Sequence, residues 1–161
     1  MDQFDNFDLR MEVRMRGQGR NAGVQFRSRR PRASDKGIPA HEVIGYQADM
    51  GIAGKDSIWG ALYDESRRRK MLVVPDPRVE IDWKTTEADR DAPAGAVPTT
   101  DWIRMRIVCV GDSIEIFLND RRTVQYTEAD AEISRQGVIG LQIHSGPPAE
   151  AWYRNVRILS L

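Results

Sequence analysis

The stretch Trp102–Asp120, WIRMRIVCVGDSIEIFLND, reads as two strands folded back on each other. Ile103, Met105, Ile107 and Cys109 fall on one side of the first strand, and Ile114, Ile116 and Leu118 on one side of the second. A period of two with one apolar side is the pattern of an antiparallel strand that buries one face. Gly111 and Asp112 make a two-residue link, whose glycine supplies the positive φ a tight hairpin turn demands. A second turn at Asn119 and Asp120 leads into RTVQY, so the stretch predicts a meander. Cys109 sits in the apolar run IVCV and is expected in the core rather than as a nucleophile.

The same alternation extends outward in both directions. DLRMEVRMR sets Leu9, Met11, Val13 and Met15 against Arg10, Glu12, Arg14 and Arg16. NAGVQFRSR, GYQADMG, IWGALYDES, GVIGLQIHSG and AWYRNVRIL are strand-like as well, and the basic run SRRRK follows the third of these. DAPAGAVP, between Asp76 and Asp101, is expected to form a surface loop, because prolines and small residues neither fill a ladder nor bury area. No segment of ten or more residues carries a 3.6-residue period, and no internal repeat is present. An all-β sandwich of two packed antiparallel sheets is the expected fold.

Bulk composition narrows the function classes. A chain of 161 residues is read as one domain, residues 1–161. Lys plus Arg equals Asp plus Glu at 24 each, so no global field draws the chain to nucleic acid or an anionic membrane. A neutral small substrate or a protein partner is the better expectation. No apolar run approaches the roughly 18 residues of a membrane span, so a soluble chain is expected. No charged start followed by an apolar core and a small-residue cleavage site is legible at the first residues, so no export signal is expected in this stretch. One cysteine excludes an internal disulfide framework, and two distant histidines make no self-contained metal site, His41 included. No cofactor signature is legible, and a divalent metal stays open.

Three strands share a peculiarity. In GVQFR, GYQAD and GLQIH a glycine precedes a strand whose polar side carries Gln and then, two residues on, an ionisable group: Gln25 with Arg27, Gln47 with Asp49, Gln142 with His144. Side chains at i and i+2 lie on one face about 7 Å apart. Neighbouring strands of this kind would assemble amides, a guanidinium, a carboxylate and an imidazole among glycines, a floor that a ligand approaches closely. The bland reading is a solvated face whose groups satisfy one another. YDESRRRK, with Asp64, Glu65, Arg67, Arg68 and Arg69, is either a rim lending charge to the site or a self-paired surface turn. FRSRRPR reads as a solvated basic loop.

Taken together, NAGVQFRSR, HEVIGYQADMG, WGALYDESRR, the 102–120 hairpin and GVIGLQIHSGPPAEAWYRNVRI resemble the 3-keto-disaccharide hydrolase domain family, nearly end to end and in the family's order. The resemblance implies a concanavalin-like jelly roll whose curved sheet offers a concave face to sugars. It implies bacterial, often exported proteins acting on glycosides oxidised to a ketone at carbon 3. Family domains usually carry several tens of residues upstream of the F.DL strand where this match starts. Asp120 stands where the family more often has glycine, a change expected to be local.

A ketone at carbon 3 acidifies the proton on carbon 2, and its loss can expel the substituent at carbon 1. Such a site needs a base at carbon 2 and a donor at the enolate oxygen. His144 is the first candidate base, because an imidazole titrates near neutrality; Asp49 would orient it or take the role itself. Arg27 is the candidate electrophile. Glu65 is the candidate acid for the leaving group. Gln25, Gln47, Gln142 and Arg67 would hold hydroxyls, and Tyr63 and Trp59 would stack on a ring, Trp59 being equally a core candidate. The rival readings are a carbohydrate-binding module without catalysis, an ordinary glycosidase using Asp49 and Glu65 on unoxidised sugars, and an interaction domain.

Overall fold

The computed structural model describes residues 2–76, 78 and 102–161; the DAPAGAVP stretch lies outside the described residues. The described residues contain no helix and eleven strands: β1 Phe7–Gly17, β2 Asn21–Arg29, β3 Ile44–Ala53, β4 Asp56–Ser57, β5 Leu62–Glu65, β6 Lys70–Val73, β7 Ile103–Val110, β8 Ser113–Leu118, β9 Arg121–Thr127, β10 Val138–Ile143 and β11 Ala149–Ser160. One sheet runs β11-β1-β7-β8-β9. The other runs β10-β2-β3-β5-β6, with the short β4 paired to β3. Every pairing is antiparallel.

The hairpin that decides the fold forms as read. Val110 pairs with Ser113 across Gly111 and Asp112, and Gly111 has φ 53°. At the next turn Asn119 and Asp120 both take positive φ, 45° and 66°, which is the mirror-image turn that matches the twist of two strands. Asx side chains tolerate this region better than other non-glycine residues, and the Asp120 carboxylate accepts from Arg104 of β7 at 2.6 Å.

The apolar sides of both sheets meet in one core. Phe7, Leu9, Val13, Ile107, Cys109 and Ile116 come from the first sheet, and Val24, Phe26, Tyr46, Ala48, Met50 and Leu62 from the second. Phe7, Phe26, Tyr46 and Tyr126 form a chain of ring contacts at 5.8–6.5 Å that crosses from one sheet to the other and back. Burial pushes the Cys109 thiol up to about 12, so it stays a protonated core residue.

The run YDESRRRK is self-paired in part, since Arg67 and Arg68 both reach Asp64, at 3.0 and 3.3 Å. It turns the chain into β6 and clamps the two sheets together. Arg68 pairs with Glu128 beyond β9 at 2.7 Å and with the fully buried Asp64 of β5 at 3.3 Å. Tyr46 and Tyr126 donate to the same Glu128 oxygen at 2.6 and 3.1 Å. Burial alone would raise the Glu128 carboxyl, yet the hydrogen bonds from Tyr46, Arg68, Tyr126 and the Asp130 amide hold it down at about 2.

Candidate functional site on the outer face of the second sheet

The register of the second sheet brings the amide strands side by side. Gln142 of β10 lies opposite Gly23 of β2, which lies opposite Asp49 of β3. One step along, Gly140, Gln25, Gln47 and Tyr63 of β5 form the next row. These residues alternate with Val24, Ala48 and Leu62 of the core and so face away from it. Nevertheless Gln25, Gln47 and Asp49 are each no more than 4 % exposed.

They lie flat because Gly23 leaves room. A Cβ built on Gly23 would stand 2.5 Å from Gln47 Cγ and 2.8 Å from Nε2, so the Gln47 side chain occupies the space a residue at 23 would fill. In this position the groups form a directed chain. Gln25 Nε2 donates to Gln47 Oε1 at 3.0 Å, and Gln47 Nε2 donates to Asp49 Oδ1 at 2.7 Å. Each amide polarises the next toward the carboxylate. Oδ2 of Asp49 takes no hydrogen bond from the described residues.

Asp49 is electrostatically poised. Burial is the largest influence and raises its carboxyl; the Gln47 hydrogen bond and the nearby His144 charge pull it down, the Glu65 charge pushes it up, and it settles at about 7. A carboxyl near neutrality can both accept and return a proton, which is the property of an acid–base group. Tyr63, beside Gln47, has its phenol raised by burial and by the charges of Glu65 and Asp49, so it remains a hydrogen donor. Glu65 is two residues further along β5 and accepts from Ser66 Oγ at 3.2 Å.

His144 lies at the rim, exposed, just past the end of β10, with its backbone N–H on the Asn21 carbonyl. Its Nδ1 lies 2.6 Å from the Ser145 carbonyl oxygen. A carbonyl only accepts, so Nδ1 carries a proton in this contact and Nε2 is left for another partner. Gln142 Oε1 is buried without a donor. Such an oxygen is a ready acceptor for a hydroxyl.

Three expected members are not brought to this face. Arg27 is turned away by a bulge between Phe26 and Arg29, where it takes φ 47°; its Nε and Nη2 donate to the Asp5 carbonyl, and it lies close enough to core Cys109 to act on that thiol. A bulge breaks the alternation that placed it beside Gln25. Arg67 follows Ser66, itself at φ 57°, and turns inward to Asp64 at 3.0 Å and over the Tyr46 ring at 4.5 Å. Trp59 is 8 % exposed and packs in the core. Asn21 was missed by the sequence reading. It is partly exposed on the same side of β2 as Gly23 and Gln25, and it went unremarked because it precedes the glycine on which the shared pattern starts. Among the described residues no three His, Cys, Asp or Glu side chains converge as a metal site.

Comparison with known proteins agrees with this architecture. The chain aligns over 99 % of its length with a carbohydrate binding module, CBM66, from Bacillus subtilis, covering 78 % of that chain at TM-score 0.61 and 13 % identity. Two proteins of Parabacteroides distasonis provisionally described as glycosyl hydrolases align over 99 % and 100 % of the chain. Of these, 80 % and 72 % are covered, at TM-scores 0.55 and 0.60 and identities of 20 % and 14 %. At such identities the likeness establishes the jelly-roll sandwich fold. No curated protein matches the chain in sequence. Residues 1–159 match the 3-keto-alpha-glucoside-1,2-lyase-like domain, so the chain belongs to that carbohydrate-related family.

Proposed function

We propose that the outer face of the second sheet binds 3-keto-glucosides and cleaves them by elimination, with Asp49 as the base. The observation that supports this reading is a buried carboxyl at about 7, standing at the end of the Gln25–Gln47 amide chain with one oxygen uncommitted among the described residues. Its oxygen takes the proton from carbon 2; the C–H electron pair moves toward carbon 1 through the enolate, and the bond to the leaving oxygen breaks. Tyr63, a hydroxyl donor in the same row as Gln25 and Gln47, stabilises the enolate oxygen in the place first expected of Arg27. His144 at the open rim relays a proton from solvent through Nε2 to the leaving oxygen, and Asp49 releases to solvent the proton it took. Gln25 and Gln142 hold sugar hydroxyls, Gln142 through its unpaired oxygen. Glu65 serves mainly to keep Asp49 protonatable.

Incubating the protein with an aryl 3-keto-glucoside and following aglycone release tests this. Asp49→Asn is expected to lower turnover by about 10²- to 10⁴-fold while sugar binding persists, and the unoxidised glucoside is expected to stay intact. Binding without release in the wild type would make the protein a binding module instead.

A further inference from the structure

At the end of the sandwich where β2 and β5 finish and β3 begins, a cavity of about 430 Å³ opens. It shares no lining residue with the outer-face site. Arg27, Arg29, Arg32 and Arg67 line it against one carboxylate, Glu132. Arg29 is neutralised by Asp35 at 2.6 Å, and Arg67 shares buried Asp64 with Arg68. Arg27, 3 % exposed, meets no carboxylate among the described residues. Moreover, Arg27 Nη1 and Arg67 Nη2 are buried donors without an acceptor.

A charged donor left buried and unpaired is costly unless a ligand completes it. Both guanidiniums are held in place. The bulge and the Asp5 carbonyl fix Arg27 through Nε and Nη2, and Asp64 with the Tyr46 ring fixes Arg67 through Nε, so each has one fork arm left over. Preorganised guanidinium forks recognise planar or tetrahedral oxyanions by paired charge-assisted hydrogen bonds. Surplus positive charge excludes a metal cation from the same space. We propose that this cavity is a binding site for a small oxyanion, of phosphate, sulfate or carboxylate type, gripped by Arg27 and Arg67 with Arg32 at its mouth.

Calorimetric titration of the whole chain with inorganic phosphate, sulfate and glucuronate, each against chloride at matched ionic strength, tests the proposal. Saturable binding of at least one oxyanion is expected. Phosphate or sulfate alone would mark a free inorganic ligand, and glucuronate alone a charged sugar. Arg67→Gln and the exposed-position variant Arg32→Glu are each expected to weaken binding about tenfold or more. Asp49→Asn should leave binding unchanged, which separates this site from the outer face. If Arg67→Gln fails to fold, Arg32→Glu decides alone. No oxyanion binding above chloride, or binding that Arg32→Glu does not weaken, would overturn the proposal.

Discussion

At position 49 the fold tolerates a carboxyl in a place that disfavours its charge. Its folded value of about 7 stands above the unfolded value near 4, so the native state holds the proton more tightly than the unfolded chain does. Stability from this group is therefore greatest below about pH 4 and is lost as pH rises to and through 7. Asp49→Asn keeps the oxygen that accepts from Gln47 and removes the charge. It should raise stability by up to about 4 kcal/mol at pH 8 and hardly at all at pH 4, as read from urea midpoints at the two pH values. A gain in stability joined to a loss of turnover is the expected signature of a residue placed for chemistry. Which residues of the patch would stay together was partly legible: Gln25, Gln47 and Asp49 followed from alternation alone. Arg27 and Arg67 did not, because each follows or occupies a positive-φ residue that rotates the next side chain off the face, and no sequence period reports one such residue.

Among the elements, β2 and β3 decide the site through a missing side chain. The Gln47 amide lies over Gly23 because nothing stands there. Gly23→Ala would place a methyl 2.5 Å from Gln47 Cγ, so the flexible side chain must lift and the contact to Asp49 must break. The expected result is a fold that melts within about 1 kcal/mol of wild type but turns over substrate at least tenfold more slowly, checked by thermal unfolding and by steady-state kinetics on one preparation. The glycines before each amide were visible in the sequence as a sign of close approach. What approaches Gly23 in the structure is its neighbour Gln47, a cross-strand relation fixed by register, which the sequence alone does not specify. The 102–120 hairpin was fully legible because its turns and its alternation are local. β6 was not, since KMLV is short and carries no alternation.

The whole molecule is held at one margin by charge as well as by its apolar core. Glu128 ties Tyr46, Arg68 and Tyr126 together, and through Arg68 it reaches Asp64. Glu128→Gln leaves Arg68 without its closest counter-charge and should cost about 2–4 kcal/mol in equilibrium unfolding at pH 7. Because the folded carboxyl is depressed to about 2, its contribution is present above the unfolded value near 4.3 and is lost as pH falls toward 2. The variant's deficit should accordingly shrink in acid. Nothing in the sequence announced this cluster, because Tyr46 and Glu128 are separated by 82 residues. The two-sheet sandwich, by contrast, was readable from the alternation of nine of the eleven strands, since a strand with one apolar face needs a second sheet to cover it. Proton exchange at carbon 2 of a 3-keto-glucoside in deuterated water, followed by proton NMR across pH 5–9, reports the base directly and needs no departing group. The wild type should exchange that proton with a rate that rises through an apparent pKa near 7 and Asp49→Asn should not; exchange that survives in Asp49→Asn with an unaltered pH profile would show that another group takes the proton.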